Sequence, residues 1–286
     1  MNKSSIKKQI NIMKILIIGS KGMLGSDLVK ELSKTDNEII AWDLEDIDIT
    51  KEQDMLKIEQ ANPDIIINCA AYTNVDLAET EKEICHKVNV TGVQNLTNTS
   101  KKLDIPLIHI STDYVFNGEK QEGYDEDDKK DPINYYGKTK SEGEDIIINN
   151  LDKYYIIRTS WLFGKNGKNF VETMLKLFKE KEEIKVVNDQ IGSPTYTKDL
   201  SRGIINIIKN KNRYKYGIYH ITNSDKCSWF EFANEIKRLT NSNCIINPCT
   251  SEEFPTPAKR PKFSILNNNK TEKLKNWKEA LKEYIK

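Results

Sequence analysis

The fold is decided by one stretch, residues 14–25, which has the sequence KILIIGSKGMLG. Its first five residues form the short apolar run that is typical of a parallel strand buried on both faces. Gly19, Gly22 and Gly25 then predict a tight turn, after which residues 26–32 have helical spacing. A strand, a glycine turn and a helix in this order form a pyrophosphate site at the helix N-terminus. The alternative is an ordinary strand-to-helix turn that carries three glycines.

The same strand-helix alternation continues through the first half of the chain. Further predicted strands are 38–42, 65–69, 106–110 and 154–158, and the predicted helices between them include 79–102 and 136–149. This alternation predicts an α/β fold, a Rossmann-like doubly wound parallel sheet with right-handed crossovers. Ligands of such a sheet bind beyond the carboxyl ends of its strands.

The second half of the chain is less regular. Residues 190–195 and 255–261 are rich in loop-forming residues. Between them lie a predicted strand, 219–222, and a helix opened by the capping box Ser228-x-x-Glu231. We therefore predict an NAD(P)-binding Rossmann domain over residues 13–165. A smaller C-terminal substrate-binding lobe is expected over residues 166–286, with segments that return to the main sheet. Residues 1–12 are lysine-rich and polar, and we expect them to be a disordered extension.

Composition excludes several classes of function. The 286 residues contain 44 Lys and Arg against 43 Asp and Glu, so a nucleic-acid partner is not expected. No apolar stretch approaches the ~18 residues that would span a bilayer. Five cysteines with no Cys-x-x-Cys pair indicate free thiols in a reducing cytoplasm, and the residues alone indicate no metal site.

The second predicted strand ends at Asp43, which follows Gly25 by 18 residues. An acidic residue at about that distance usually binds the ribose 2′-hydroxyl of NAD, and its charge would repel a 2′-phosphate. The alternative is an aspartate in a turn. Thr50 and Gln53 have the spacing of a capping box, which places Asp48 and Ile49 at the sheet edge beside the adenine.

Tyr136 and Lys140 lie four residues apart on a predicted helix, and therefore on one face of it. Reduction of a ketone needs a hydride at carbon and a proton at oxygen. A free phenol, with a pKa of ~10, is a reluctant acid-base group, and a nearby ammonium lowers that pKa. Thr112, at the end of the fourth strand, is placed to donate a second hydrogen bond to the same carbonyl oxygen. The alternative is a packed tyrosine and a solvated lysine.

These motifs together predict a dinucleotide site along one edge of the sheet. The residues predicted to bind the cofactor are Gly19, Gly22, Met23, Leu24, Gly25, Asp43, Asp48, Ile49, Ala70, Ala71, Tyr72, Thr73, Tyr136 and Lys140.

Five motifs make the chain resemble the dTDP-4-dehydrorhamnose reductase family of the extended short-chain dehydrogenase/reductases. They are Ser111-Thr112-Asp113-Tyr114-Val115-Phe116, Tyr136-Gly137-Lys138-Thr139-Lys140, Arg158-Thr159-Ser160-Trp161, Asp189-Gln190-x-Gly192-x-Pro194-Thr195 and Arg260-Pro261-x-x-Ser264-x-Leu266. The resemblance implies that NADH or NADPH reduces dTDP-4-dehydro-β-L-rhamnose to dTDP-β-L-rhamnose. That reaction is the final step of dTDP-L-rhamnose biosynthesis, which supplies cell-surface polysaccharide.

The resemblance also assigns roles to individual residues. It implies that Tyr136 is the proton donor, that Lys140 tunes it and that Thr112 supports it. It implies that Asp113 and Trp161 contact the sugar. The substrate set is completed by Arg260, whose guanidinium suits a diphosphate; the alternative is a surface arginine between prolines. Asn267 stands where the family often has Asp. Some family members are magnesium-linked dimers, so a homodimer with Mg²⁺ at its interface is an expectation from analogy alone.

Two rival functions share part of this pattern. A sugar-nucleotide epimerase or dehydratase of the same superfamily has the fold and the Tyr-x-x-x-Lys pair, but a dehydratase needs more acid-base groups beside the threonine. Asp113 and then Tyr114 follow Thr112, which favours simple reduction. A non-catalytic NAD(P)-binding regulatory subunit, like the partner of methionine adenosyltransferase, would have no need of Thr112, Tyr136 and Lys140.

Overall fold

Strands and helices alternate along the structure, a computed structural model that describes residues 12–286. The extension predicted over residues 1–12 lies outside the described residues except for Ile12. The strands are β1 Lys14–Ile18, β2 Glu38–Trp42, β3 Ile65–Asn68, β4 Leu107–Thr112, β5 Tyr154–Thr159, β6 Leu162–Phe163, β7 Glu183–Val187, β8 Ile191–Gly192, β9 Thr195–Tyr196, β10 Gly217–His220, β11 Cys227–Ser228 and β12 Ile245–Cys249. The α-helices are α1 Met23–Leu32, α2 Met55–Ala61, α3 Lys82–His86, α4 Gly92–Leu103, α5 Tyr135–Asn150, α6 Phe170–Glu180, α7 Thr197–Lys209, α8 Trp229–Thr240 and α9 Trp277–Ile285.

The main sheet has six strands in the order β10-β5-β4-β3-β1-β2, and every pair in it is parallel. From β1 the chain moves outward to β2 and then returns to β3 on the other side of β1. The order therefore reverses between β1 and β3, and a crevice for ligands opens at such a point. The predicted α/β, Rossmann-like doubly wound sheet is confirmed.

Strand β1 is apolar from Ile15 to Ile18 because both faces of the sheet are covered there. Ile15 and Ile17 pack into the core beneath α1 and α7, whereas Leu16 and Ile18 pack into the core beneath α2, α4 and α5. Successive side chains of a strand alternate between faces, so both alternating sets must be apolar here. This explains why β1 shows a continuous apolar run instead of an alternating one.

Two local predictions differ from the structure. Residues 79–102 do not form one helix, because a π-helical turn, Lys87–Thr91, separates α3 from α4. The capping box predicted at Thr50 and Gln53 is wrong: the Thr50 hydroxyl donates to Asp48 Oδ1 at 2.7 Å instead of capping a helix. The capping box of α8, Ser228 with Glu231, is confirmed.

The C-terminal half divides its elements between two cores. Strand β10 pairs with β5 at the end of the main sheet, and α7 packs against α1. A second core lies among α6, α8, α9 and the β7–β12 pair, and its largest buried side chains include Phe163, Phe232 and Trp277. Within residues 12–286, no helix has both the length and the apolar character needed to cross a membrane.

Candidate active site

A cavity of about 950 Å³ lies at the carboxyl ends of the central strands, where the topology predicts a ligand. Residues predicted to bind the cofactor and residues predicted to bind the substrate both line this cavity. They are Gly19, Gly22, Met23, Leu24, Asp43, Asp48, Ile49, Ala70, Ala71, Tyr72, Thr73, Thr112, Asp113, Tyr136, Lys140 and Trp161.

The glycine turn brings bare backbone to this cavity. Gly19 has a φ of +78°, and a Cβ at this position would lie 2.8 Å from the backbone nitrogen of Ala70. Gly22 is the N-cap of α1, and no side chain of the described residues caps it. The first amides of α1 are therefore left for a ligand, as a diphosphate at a helix N-terminus requires.

Gly25 lies in the first turn of α1. It does not line the cavity, and a Cβ there would lie 2.1 Å from the carbonyl oxygen of Gly19. Its lack of a side chain lets α1 pack directly on the turn.

Asp43 is held at the cavity by two backbone amides. Its Oδ2 accepts from the Lys21 amide at 2.7 Å, and its Oδ1 accepts from the Leu44 amide at 2.9 Å. These bonds fix the carboxylate beside the glycine turn, where the adenosine ribose of a dinucleotide would lie.

The segment after β3 is fixed by an asparagine that the sequence did not single out. Asn89, in the π-helical turn, accepts from the Tyr72 amide at 2.9 Å and donates to the Tyr72 carbonyl at 3.1 Å. The same amide group donates to Thr139 Oγ1 at 3.1 Å. Asn89 thus connects the cavity wall to α5. No local sequence pattern predicts this connection.

Helix α5 carries Tyr136 and Lys140 close to β4. Its N-cap, Asn134, accepts from the Gly137 amide at 2.8 Å. A Cβ at Gly137 would lie 2.1 Å from the carbonyl oxygen of Tyr114, so only glycine permits this approach. The glycine between the tyrosine and the lysine of the motif therefore lets α5 approach the segment that follows Thr112.

The charge states of Tyr136 and Lys140 differ from the simple prediction. Burial raises the pKa of Tyr136, and a hydrogen bond with Thr112 only partly opposes this rise. Lys140 is 2% exposed, and burial lowers its pKa to about 8. Its Nζ donates to the Ile110 carbonyl at 2.7 Å and lies 3.0 Å from His109 Nε2. The phenol pKa is therefore raised rather than lowered as predicted, and burial is the largest cause.

Asp113 presents a buried acceptor to the cavity. The Thr112 hydroxyl donates to its Oδ1 at 2.9 Å, and burial raises the pKa of Asp113 to about 7. Its Oδ2 has no partner within hydrogen-bond geometry among the described residues, although the nearby Ser264 hydroxyl partly opposes the rise of the pKa. A buried acceptor without a partner is costly, so this oxygen is well suited to a ligand hydroxyl.

Two stacked indoles form another wall of the cavity. The rings of Trp161 and Trp229 lie 3.4 Å apart and within 5° of parallel. Trp161 has a φ of +48°, and a Cβ at Gly192 would lie 2.4 Å from its ring. Gly192 therefore makes room for the indole. Trp229 was missed, because nothing local in the sequence pairs residue 229 with residue 161.

Arg260 does not line the cavity. Its guanidinium forms an ion pair with Asp76 at 2.9 Å and donates to the Ala258 carbonyl at 2.9 Å. In this position Arg260 ties the C-terminal loop to the segment that follows Thr73.

No group of three or more His, Cys, Asp or Glu side chains within residues 12–286 is arranged to hold a metal ion. All five cysteines are free thiols.

Comparisons with known proteins identify the family of this chain. A protein-family model, the RmlD substrate binding domain, matches residues 13–286. The crystal structure of a dTDP-4-dehydrorhamnose reductase from Clostridium acetobutylicum is 45% identical, with a TM-score of 0.92 over 96% of this chain and 98% of that one. The reductase of Bacillus anthracis, solved in complex with NADP, is 42% identical, with a TM-score of 0.92 over 96% and 99% of the two chains.

A curated relative gives the same result. The dTDP-4-dehydrorhamnose reductase of Aggregatibacter actinomycetemcomitans is 40% identical over 94% of this chain and 97% of its own length. The Thermus thermophilus UDP-glucose 4-epimerase, at 16% identity and a TM-score of 0.80, shares the fold. As its motifs predicted, the chain belongs to the dTDP-4-dehydrorhamnose reductase family.

Proposed function

We infer that this chain reduces the C4 keto group of dTDP-4-dehydro-β-L-rhamnose with NADH or NADPH, giving dTDP-β-L-rhamnose in the final step of dTDP-L-rhamnose biosynthesis. One observation carries the inference. A single cavity brings the uncapped start of α1 and Asp43 together with Thr112, Tyr136 and Lys140. Family membership then specifies which keto sugar fits this arrangement.

The residues present fit a nicotinamide dinucleotide. The backbone at Gly19 and Gly22 would hold the diphosphate, Asp43 the ribose, and Asp48 with Ile49 the adenine edge. When bound, the cofactor supplies the hydride. The chain's own groups must therefore orient the ketone, exclude water and deliver one proton to oxygen.

Tyr136 is the group that delivers this proton. Because burial raises its pKa, the phenol stays protonated at neutral pH and is available as an acid. As the C4 oxygen gains negative charge, the O–H bond breaks, its electron pair stays on the phenolate and the proton moves to the sugar oxygen. Lys140, one helical turn away, favours the phenolate when its amine is protonated.

The remaining residues position the sugar. The unpaired Oδ2 of Asp113 would accept a hydrogen bond from a sugar hydroxyl, and the Trp161 indole offers an apolar wall. Tyr114 follows Asp113, and its ring packs edge-on against Tyr136 at 5.9 Å. An aromatic ring therefore occupies the position where a dehydratase would need a further acid, which favours reduction.

The direct test follows the oxidation of NADH after addition of the keto-sugar nucleotide made from dTDP-glucose by the two preceding enzymes. We expect absorbance loss that depends on the sugar nucleotide, and a product heavier by two hydrogens. An epimerised or dehydrated product with NADH unchanged would instead identify the superfamily rival, and cofactor binding without turnover would identify a regulatory subunit.

Asp43 is expected to give a preference for NADH. Its carboxylate, fixed by the Lys21 and Leu44 amides, would repel a 2′-phosphate, although a relative binds NADP. We predict that Asp43→Asn raises kcat/KM for NADPH relative to NADH by roughly tenfold, because the charge that repels the 2′-phosphate is removed. Steady-state rates with both cofactors test this. A wild-type preference for NADPH would show that Asp43 does not select the cofactor.

Arg260 is proposed to bind the diphosphate of the sugar nucleotide after leaving Asp76. Arg260→Ala should then raise KM for the sugar nucleotide and leave NADH affinity nearly unchanged. Asp76→Asn is the matched control, because it breaks the same ion pair but keeps the guanidinium. If both variants raise KM equally, the ion pair merely anchors the loop and Arg260 is not a ligand.

A cytoplasmic location and a homodimer complete the proposal. Five free thiols suit a reducing compartment. The dimer and its Mg²⁺ rest on family analogy, and light scattering with and without EDTA would test them.

A further inference from the structure

A chain of buried hydrogen bonds leads from the cavity wall to Lys140. The Ala70 amide donates to Asn68 Oδ1 at 3.1 Å, and Asn68 Nδ2 lies 3.1 Å from His109 Nδ1. His109 Nε2 in turn lies 3.0 Å from Lys140 Nζ. Asn68, His109 and Lys140 are all buried, so water does not compete for these bonds.

The first bond fixes the direction of the next two. The Ala70 amide is a backbone donor, so the oxygen of the Asn68 side chain must face it and the NH₂ group must face His109. His109 Nδ1 is therefore an acceptor. Burial and the neighbouring Lys140 hold the pKa of His109 well below its usual range, so the ring is neutral. A neutral imidazole carries one N–H, which must be on Nε2.

This tautomer distinguishes the two protonation states of Lys140. An amine has a lone pair that accepts from His109 Nε2–H while its own N–H donates to the Ile110 carbonyl. An ammonium has no lone pair, so it would set N–H against N–H at 3.0 Å. Moving the imidazole proton to Nδ1 would relieve that conflict only by setting it against the NH₂ of Asn68. Protonation of Lys140 therefore removes one hydrogen bond from this series of buried groups.

We propose that His109, with its tautomer fixed by Asn68, is a positioning residue that sets the proton affinity of Lys140. It stabilises the amine form and so eases release of the lysine proton. Its effect on catalysis rests on the function proposed above, whereas the tautomer itself does not.

Other groups around Lys140 act on the same equilibrium. Glu144, on the same helix as Lys140, favours the ammonium form of the lysine. The thiols of Cys69, just after β3, and Cys85, on α3, act in the same direction. Burial works in the same direction as His109 and lowers the Lys140 pKa to about 8. Because this pKa lies below that of a free lysine, the positive charge beside Tyr136 is lost as the pH rises through it. Reduction should therefore weaken on the alkaline side.

The tautomer can be observed without any substrate. The chain has three histidines, so ¹⁵N-histidine NMR of the full-length protein, with His86→Gln and His109→Gln to assign the signals, resolves each ring. We expect His109 to be the neutral Nε2–H tautomer throughout the range from mildly acidic to mildly alkaline pH. A proton on Nδ1, or a ring that becomes doubly protonated in that range, would overturn the proposal even if the enzyme's substrate has been misidentified.

The pH profile of hydride transfer tests the effect on Lys140. Asn68→Asp replaces the NH₂ with an acceptor, so His109 should carry its proton on Nδ1 and accept from the ammonium at Nε2. We expect the alkaline limb of the single-turnover rate to move up by at least about one pH unit. In a His109→Leu background, Asn68→Asp should shift the alkaline limb of the rate profile far less. An equal shift in both backgrounds would mean that the new charge acts directly, and no shift in either would refute a role for His109.

Discussion

Replacement of Tyr136 with phenylalanine is expected to lower kcat by ~10²–10⁴-fold, the usual contribution of a general acid. The phenyl ring keeps the edge-on packing against Tyr114 but loses the hydroxyl proposed to protonate the C4 oxygen. Single-turnover oxidation of NADH measures the loss, and quenching of NADH fluorescence shows whether the cofactor still binds. We expect nearly unchanged NADH binding.

Tyr135→Phe is the matched control, because the adjacent tyrosine does not line the cavity. It should remain close to wild type. Lys140→Met should also lose activity. The pH dependence of its residual rate should shift to higher pH, because the phenol loses its cationic neighbour. If Tyr136→Phe kept more than roughly a tenth of the rate while hydride transfer limits turnover, another group would have to be the acid.

Replacement of Arg158 with methionine is expected to have the largest effect on stability. Arg158 forms a two-point ion pair with Glu144, through Nε at 2.9 Å and Nη2 at 2.7 Å. Both side chains are buried, so the variant would leave the glutamate charge without its main partner. Breaking a buried pair costs roughly 3–5 kcal/mol, and Lys130, at 3.4 Å from Glu144, favours the lower end. Urea unfolding measures the change.

Two variants separate the buried charge from other effects of the substitution. Arg158→Met combined with Glu144→Leu removes both charges and should recover much of the lost stability. Arg238→Ala breaks an ion pair with Glu235 on the surface and should leave the unfolding midpoint nearly unchanged. If the single and double variants at the buried pair unfold at the same urea concentration, lost packing rather than an unpaired charge is responsible.

The pair also has a defined pH dependence. Burial alone would raise the pKa of Glu144, but hydrogen bonds and charge from Arg158 lower it overall. The folded pKa is thus below the unfolded one. The stabilisation is present above the pKa of a free glutamate and is lost as the pH falls through the lower, folded value.

Local sequence was sufficient for the features whose physical cause is local. A run such as residues 14–18 can be buried on both faces of a sheet, and Gly22 at the start of a helix leaves amides for a phosphate. These predictions need only neighbours in sequence. The family motifs then added Asp113 and Trp161, which the structure places at the same cavity.

Other features of the site depend on partners far away in sequence. Trp229 lies in the cavity because its ring stacks on Trp161, and Arg260 lies outside its lining because Asp76 holds it. The phenol pKa of Tyr136 follows from burial, which helix spacing cannot show. Each of these outcomes is decided by tertiary packing between segments that no local pattern connects.

The return of β10 to the main sheet limits how this protein can be divided. A fragment ending near residue 165 would turn β5 into an unprotected edge and would strip α7 from α1. The dinucleotide-binding half should therefore not survive as an autonomous fragment, and we expect it to aggregate when expressed alone. The chain should unfold in one cooperative thermal transition. We also expect an insertion in a surface loop to be tolerated far better than a truncation.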